Sequence, residues 1–249
     1  SSYYYYTVFD ISSSTITFFL LLLQYNSTYH KMEETLVKID DLVTGWVQSW
    51  ELPLPLETFI CPGGALFGWQ GTVSVVIPGI WYVYGKQGLY YHLATTALAQ
   101  VISRLAKQII QRKRPTIPSP TPYRYWKIFY KHLVNVAHDP NNLDGASFPS
   151  GDTMSGGTCG GVLMVLTKSW WPLLIPVWVG IGRQFFFCHW FLDTIGGAGL
   201  GLLCAYLVNN VFYNSYTEIT NRQIYIITTL FLVLMAVSTK IANFIREKL

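Results

Sequence analysis

Long apolar stretches dominate the chain, and short polar connections separate them. Six are long enough to span a bilayer as helices, because about 20 mostly apolar residues suffice. They are residues 63–84, 88–110, 150–167, 170–187, 191–213 and 224–244. A seventh stretch, residues 11–25, holds a short apolar run behind polar residues and predicts a marginal span or an interfacial anchor. The pattern therefore predicts an all-α, multi-pass transmembrane helical bundle.

Two further segments have patterns typical of a membrane surface. Residues 31–50 alternate apolar side chains with acids and lysines at helical spacing, which predicts an amphipathic surface helix ended by Pro53 and Pro55. The connection 111–148 is too long for a simple turn, and its middle, 125–132, mixes aromatic and basic residues. We expect that middle part to lie on the membrane surface, with a solvated loop as the alternative.

These elements divide the chain into three parts. Residues 1–36 form an N-terminal segment with the marginal span or anchor, 37–213 the main membrane domain, and 214–249 an additional C-terminal span and tail. Because the sequence starts at Ser1 without an initiator Met, we expect a segment upstream of it, and a cleaved targeting peptide is one explanation.

Composition narrows the class of protein. Only 12% of the residues are charged and 51% are hydrophobic, against about 25% charged in an ordinary soluble domain. The net charge of +4 is too small for a nucleic-acid binder, and no nucleic-acid motif is present. The 4 cysteines lie far apart without a C-x-x-C pair, so we interpret them as small buried apolar side chains and expect neither a disulfide nor a metal set.

Consecutive antiparallel spans end on alternate sides of the membrane, so the order of the spans determines which connections share a membrane face. We define face A as the side on which the stretch 88–110 ends; the connections 111–148 and 188–190 lie there, as does the C-terminus. Most of the Lys and Arg residues fall on face A. The positive-inside rule therefore places face A in the cytosol, matrix or stroma.

Three groups of polar residues reach face A. Lys107 and Arg114 are seven residues apart, so both point the same way if the helix continues to Pro115. Residues 149–153 open the next span, where free backbone N–H groups attract anions.

The third group lies on the following connection. Arg183 precedes His189 and Asp193, and the last two are one helical turn apart, so the carboxylate can orient the imidazole.

Each group alone has a structural explanation: bases that snorkel to the interface, a helix cap, or a polar residue at a span end. Together, three cations, a helix N-terminus and a His–Asp pair at one face indicate a phosphate pocket with a nucleophile.

Three motifs carry a resemblance to a known family. Residues 107–115 match K-x6-R-P, residues 149–151 match the start of P-S-G-H, and residues 183–193 match R-x5-H-x3-D. Over residues 38–213 the chain resembles the type 2 phosphatidic acid phosphatase family, the integral-membrane lipid phosphate phosphatases. The soluble vanadium haloperoxidases share these motifs, but the hydropathy argues against them.

The resemblance implies a role for each matched position. His189 would attack phosphorus and form a phosphohistidine, and Asp193 would orient it. Side chains and backbone amides of the motifs would hold the phosphoryl oxygens: Lys107, Arg114, Ser150, Gly151 and Arg183. No metal or other cofactor is expected, because the cations stabilise the transition state. The substrates implied are lipid or isoprenoid phosphates that enter from the bilayer.

Two positions depart from the family pattern. Asp152 stands where the family has His, the presumed proton donor to the leaving alkoxide; a carboxyl beside three cations is expected to stay ionised and to be a poor acid at pH 7. His132 or His138 of the long connection is a candidate substitute. Gly182 replaces the family's Ser before the Arg, which removes one hydroxyl from the phosphate site.

These observations lead to two hypotheses. The first is an integral-membrane phosphoric monoester hydrolase, or a phosphotransferase if a lipid hydroxyl replaces water. The second is a catalytically weakened relative that serves as an accessory or structural subunit of a larger membrane complex, which Asp152 and the extra spans favour. A transporter is less well supported because the polar residues cluster at one face. An endomembrane and the mitochondrial inner membrane both remain open as locations.

Overall fold

The computed structural model describes residues 26–117, 123–126, 146–211, 220, 222–223, 225–230, 233 and 237. It divides the chain into two compact units, Ser1–Ile39 and Asp40–Leu249. The described residues are helical and contain no strand. Within them, the all-α class predicted from the sequence is confirmed.

The described residues up to 211 form six helices, which turns and irregular connections join. They are α1 (Asn26–Gln48), α2 (Leu54–Ala65), α3 (Ile77–Ile110), α4 (Gly151–Thr167), α5 (Leu174–Phe185) and α6 (Phe191–Val211). A helical turn, Trp69–Gly71, and a π-helical segment, Thr72–Val76, lead into α3, and a 3₁₀ turn, Trp171–Leu173, precedes α5.

The boundary predicted between the first two spans falls at a kink inside α3. Gly85 has φ +60° and ψ −153°, a conformation that only glycine adopts readily. A Cβ at Gly85 would meet no heavy atom within 4 Å, so backbone conformation requires the glycine there and crowding does not.

Three of the other predicted spans overlap α4, α5 and α6, although α5 covers only the 12 residues Leu174–Phe185 of the predicted span 170–187. By length and composition, Phe191–Asn210 within α6 is long and apolar enough to cross a membrane, and it is the one such helix in the described part of the chain. The predicted span 224–244 overlaps helical residues 225–230, whereas 11–25 lies outside the described residues. The number of spans therefore stays a prediction.

The surface helix predicted at residues 31–50 forms as α1, but polar side chains dominate the buried face of its C-terminal part. Asp40 and Thr44 are buried beside Val47, whereas Leu42 is 75% and Trp46 63% exposed. The buried oxygens accept the first amides of α6: Thr44 Oγ1 accepts from Phe191 N at 2.9 Å, and Asp40 Oδ1 from Leu192 N at 2.7 Å. Residues of α1 thus satisfy donors that a helix start leaves unpaired.

Glycine contacts bring the central helices together. A Cβ at Gly157 of α4 would lie 2.6 Å from the Ala198 carbonyl oxygen of α6, and one at Gly197 would lie 2.5 Å from the Ser150 oxygen. These two glycines are packing residues, because a side chain at either position would push the helices apart. The four cysteines are free and buried, as expected.

Residues 123–126, one of the described parts of the long connection, pack on protein. The buried Arg124 guanidinium stacks on Phe185, 4.0 Å from the ring centroid, and donates to the Gln48 carbonyl at 2.9 Å. The Trp126 amide donates to the buried Glu57 at 2.9 Å. Residues 127–132 of the segment predicted to be interfacial lie outside the described residues.

A second close approach joins α2 to α5. A Cβ at Gly182 would lie 2.8 Å from the Gly64 Cα, and a Cβ at Gly64 would lie 2.8 Å from the Phe186 ring. Because no side chain separates the two backbones, the Gly64 carbonyl reaches the Arg183 guanidinium at 2.7 Å. The crossing therefore positions Arg183, one of the cations that the sequence predicts at the phosphate site.

This crossing yields a stability prediction. Gly182→Ala forces the α2 and α5 backbones apart, so we expect the free energy of unfolding to fall by about 1–3 kcal/mol, the usual cost of overpacking. Gly199→Ala is the matched control, because a Cβ there meets nothing within 4 Å. Denaturant unfolding of the detergent-solubilised protein measures both, and equal stability of the two variants would contradict the crossing.

Candidate active site

His189 lies in the short connection between α5 and α6 and is buried. Its Nδ1 is 2.8 Å from the Ser147 carbonyl oxygen, and its Nε2 is 3.1 Å from Arg114 Nη1. A carbonyl only accepts and a guanidinium only donates, so the partners assign the proton to Nδ1 and a lone pair to Nε2. The imidazole thus presents an unprotonated nitrogen to a cationic cluster.

The surroundings of His189 favour the neutral ring. Burial lowers the pKa of His189 well below 6.5, and the charges of Arg114, Arg183 and Lys107 lower it further, while the hydrogen bond with Ser147 acts in the opposite direction. The three cations predicted from the sequence therefore all act on the same imidazole. At neutral pH its Nε2 lone pair is available.

Lys107 and Arg114 reach this site by a different route from the one expected. Lys107 and Arg114 were expected to point the same way if one helix continued to Pro115, but α3 ends at Ile110. Gln111 adopts a left-handed conformation and donates its amide to the Lys107 carbonyl at 3.2 Å, which closes the helix. Arg114 follows in an irregular segment and also donates to the Cys188 carbonyl at 2.7 Å.

Asp193 does not hydrogen-bond to His189 in the expected way. Its Oδ2 is 3.7 Å from His189 Nδ1, which is beyond hydrogen-bond distance. The helix α6 begins only at Phe191, so His189 and Asp193 do not lie on one regular helical turn as expected. Oδ2 instead accepts from the Ser147 hydroxyl and, at 2.9 Å, from the Trp190 amide. Asp193 therefore holds Ser147, and the Ser147 carbonyl holds the imidazole.

The N-terminus of α4 differs from the expectation at Ser150. The Ser150 amide, expected to bind phosphate, donates to the Asp193 carbonyl at 3.0 Å, and its hydroxyl oxygen accepts from the Thr153 amide as a helix cap. A Cβ at Gly151 would meet nothing within 4 Å, so space is open beside that residue. The Ser150 amide is thus already bonded within the protein, and phosphate binding at Gly151 stays a prediction.

Asp152 forms an ion pair with a cation of the site. Its Oδ2 is 2.7 Å from Arg183 Nη1, the same nitrogen that donates to Gly64. The side chain of Asp152 is 23% exposed, whereas Arg183 is almost fully buried. At the position where the matched motif has a histidine, this chain has an anion that partly neutralises Arg183.

Sequence reasoning missed three residues that organise the site. Arg112 donates to Asp193 Oδ1 at 2.8 Å and also contacts Asp40, and Ser147 contacts both Asp193 and His189. Arg112 lies inside the first matched motif, but the motif pattern leaves its position unspecified. Asp40 belongs to α1, far away in sequence, and no local signal connects it to the site. His132 and His138 lie outside the described residues.

Two solved structures have a similar fold. LpxE from Aquifex aeolicus superposes with a TM-score of 0.52 at 19% identity, over 69% of this chain and 95% of LpxE. A transmembrane PAP2-type phosphatidylglycerolphosphate phosphatase from Bacillus subtilis superposes with a TM-score of 0.54 at 20% identity, over 83% of this chain and 98% of that enzyme. No curated protein is significantly similar to the chain in sequence.

The sequence also matches a family model. The PAP2 superfamily model covers residues 88–217, a region that includes all three motifs and more than half of the chain. The resemblance inferred from the motifs is confirmed by this match, and the protein belongs to the PAP2 superfamily.

Proposed function

We propose that the protein is an integral-membrane phosphatase, or a phosphotransferase of the same mechanism, that acts on a lipid or isoprenoid phosphate. One observation carries the proposal: the unprotonated Nε2 of His189 faces Arg114, and Lys107 and Arg183 act electrostatically on the same ring. This arrangement suits a nucleophile that attacks a phosphoryl group whose charge the cations balance.

The surface of the described helices supports a membrane location. Large apolar side chains are exposed on several of them, among them Tyr82, Val83, Leu174 and Val177. Exposed apolar side chains of this size are costly in water when they are this numerous, and they are typical of protein that faces lipid. Together with the apolar length of α6, this surface favours a multi-pass protein whose substrate arrives from the bilayer.

The proposed reaction has two steps. His189 Nε2 forms a bond to phosphorus, the bond from phosphorus to the ester oxygen breaks, and the departing alkoxide takes a proton from water. The ring keeps its Nδ1 proton and donates it to the Ser147 carbonyl, so the imidazole of the phosphohistidine carries a positive charge that nearby Asp193 stabilises. A water molecule then attacks phosphorus, the bond between Nε2 and phosphorus breaks, and the proton from this water neutralises the hydroxide left by the first step, so that phosphate is released. A lipid hydroxyl in place of water makes the product a new phosphate ester.

The first step of the proposed reaction is slower with Asp152 than with a protonated donor at the same position. An ionised carboxylate paired with Arg183 offers no proton to the alkoxide. General acid catalysis is typically worth about 10²–10⁴ in rate. The alternative function is that of an accessory subunit of a membrane complex. The same ion pair favours this alternative if the protein shows no turnover at all.

The nucleophile provides the first test. We expect wild-type protein in nanodiscs to release phosphate from at least one member of a panel of phosphatidate, lysophosphatidate, sphingoid and polyprenyl phosphates, and His189→Ala to release none. With ³²P-labelled substrate and a quench in alkaline detergent, the wild type should carry an alkali-stable, acid-labile phosphoryl group. No turnover on the panel, with stoichiometric membrane-protein partners in the purified sample, would favour the accessory-subunit hypothesis.

Asp152 provides the second test. Asp152→His supplies a titratable donor, so we expect kcat to stay equal or to rise by up to about 10²-fold, within the usual value of general acid catalysis. Asp152→Asn removes the anion from Arg183 without supplying an acid, so it should lower KM while kcat stays nearly unchanged. Steady-state kinetics on the best substrate distinguishes the two. A large loss of kcat in both variants would mean that the carboxylate itself is needed.

The protonation state of His189 provides the third test. Because its pKa lies well below 6.5 in the folded protein, we expect a neutral ring at pH 6.5, where an ordinary histidine is half protonated. An ¹⁵N-histidine NMR titration, assigned with His189→Gln, measures this against the unfolded protein. The unfolded chain binds the proton first, so this residue also makes stability fall as the pH drops below about 6.5. Half protonation of His189 at pH 6.5 or above would contradict the proposed nucleophile.

A further inference from the structure

Arg112 connects two buried carboxylates on different parts of the fold. Its Nη1 donates to Asp193 Oδ1 at 2.8 Å, and its Nη2 contacts Asp40 Oδ2. The Asp193 and Asp40 side chains are 0% and 1% exposed, so neither carboxylate is solvated by bulk water. A buried ion needs a partner of opposite charge, and one guanidinium serves both carboxylates here.

Asp40 carries this connection to the start of α6. Its other oxygen, Oδ1, accepts the Leu192 amide at 2.7 Å, one residue before Asp193. Arg112 also lies over the Trp190 ring, 5.5 Å from its centroid, and the Trp190 amide donates to Asp193 at 2.9 Å. The segment that carries His189 is therefore held at several points by Asp40, Arg112 and Asp193.

The last link leads to the imidazole. Asp193 accepts the Ser147 hydroxyl, and the Ser147 carbonyl accepts the His189 Nδ1 proton at 2.8 Å. A shift of Asp193 therefore moves Ser147 and, with it, the group that selects the tautomer of the ring. Both terminal nitrogens of Arg112 are bound to carboxylates, which sets it apart from Arg114, whose Nη1 contacts His189 Nε2.

We infer that Arg112 and Asp40 are positioning residues that act through Asp193 and Ser147 to hold His189 with its proton on Nδ1 and its lone pair on Nε2. The inference rests on the proposed function. Without Arg112, two carboxylates share a buried region, and their repulsion displaces Asp193 from the Ser147 hydroxyl. Without the charge of Asp40, the Arg112 guanidinium loses one of the two carboxylates that hold it in place.

Kinetics of matched variants tests the inference. We expect Arg112→Gln and Asp40→Asn to lower kcat by about 10- to 100-fold, the usual cost of a small misplacement of a reacting group. KM should change by less than about 3-fold, because substrate binding in the ground state is not affected. Arg112→Lys should recover activity only in part, since an ammonium group cannot bridge two carboxylates as a guanidinium does.

The adjacent residues supply the controls. Lys113→Gln and Asp41→Asn remove the same charges from exposed neighbours, and both should keep wild-type kcat. A kcat within about twofold of these controls, or a raised KM at unchanged kcat, would overturn the positioning role, because loss of ground-state binding alone raises KM. If Arg112→Gln does not fold, Asp40→Asn still carries the test, since the amide oxygen can accept from Leu192.

A readout that needs no turnover separates this inference from the proposed function. ¹⁵N-histidine NMR reports the tautomer of His189 in the wild type and in Arg112→Gln. A wild-type Nδ1–H tautomer that is lost in the variant supports positioning even if no lipid phosphate is hydrolysed, in which case the proposed function alone fails. An unchanged tautomer together with unchanged kcat overturns the inference and leaves the proposed function standing.

Discussion

The buried carboxylate of Asp193 is the constraint on which the site depends. A charge without water must have its oxygens satisfied, and Asp193 obtains its donors from Arg112, from the Ser147 hydroxyl and from the Trp190 amide. These groups come from three separate segments that follow α3, precede α4 and precede α6. Satisfying one anion therefore fixes the relative placement of three connections, and His189 lies where they meet.

Close backbone contacts place the remaining cation. The α2–α5 crossing has glycine on both sides, and it allows the Gly64 carbonyl to bind Arg183 directly. The replacement of Ser by Gly at position 182, which appeared in the sequence as a lost hydroxyl, is explained by packing. A serine there would collide with the α2 backbone, so this chain combines a glycine pair in α2 with a glycine in α5.

The sequence alone predicted the helical class, the family and the residues that cluster around His189. These predictions succeeded because apolar length and motif spacing are local properties. The sequence could not predict how the residues meet. The left-handed Gln111 ends α3 before Arg114, and Ser147 intervenes between Asp193 and His189, because loop conformation depends on tertiary contacts. Asp40 was missed because nothing near it in the sequence shows that Arg112 and Leu192 would need its carboxylate.

In the proposed reaction, the Asp152–Arg183 pair affects the interval between turnovers. A carboxylate tethered within 2.7 Å of the guanidinium competes at a high effective concentration with any free anion in solution. Inorganic phosphate can displace the Asp152 carboxylate only through its own charge. A phosphate attached to a lipid chain also gains binding free energy from contacts along that chain. Under the proposed function, such a site discriminates against the inorganic phosphate that the reaction releases, so an internal counter-ion can favour product release at the cost of a proton donor.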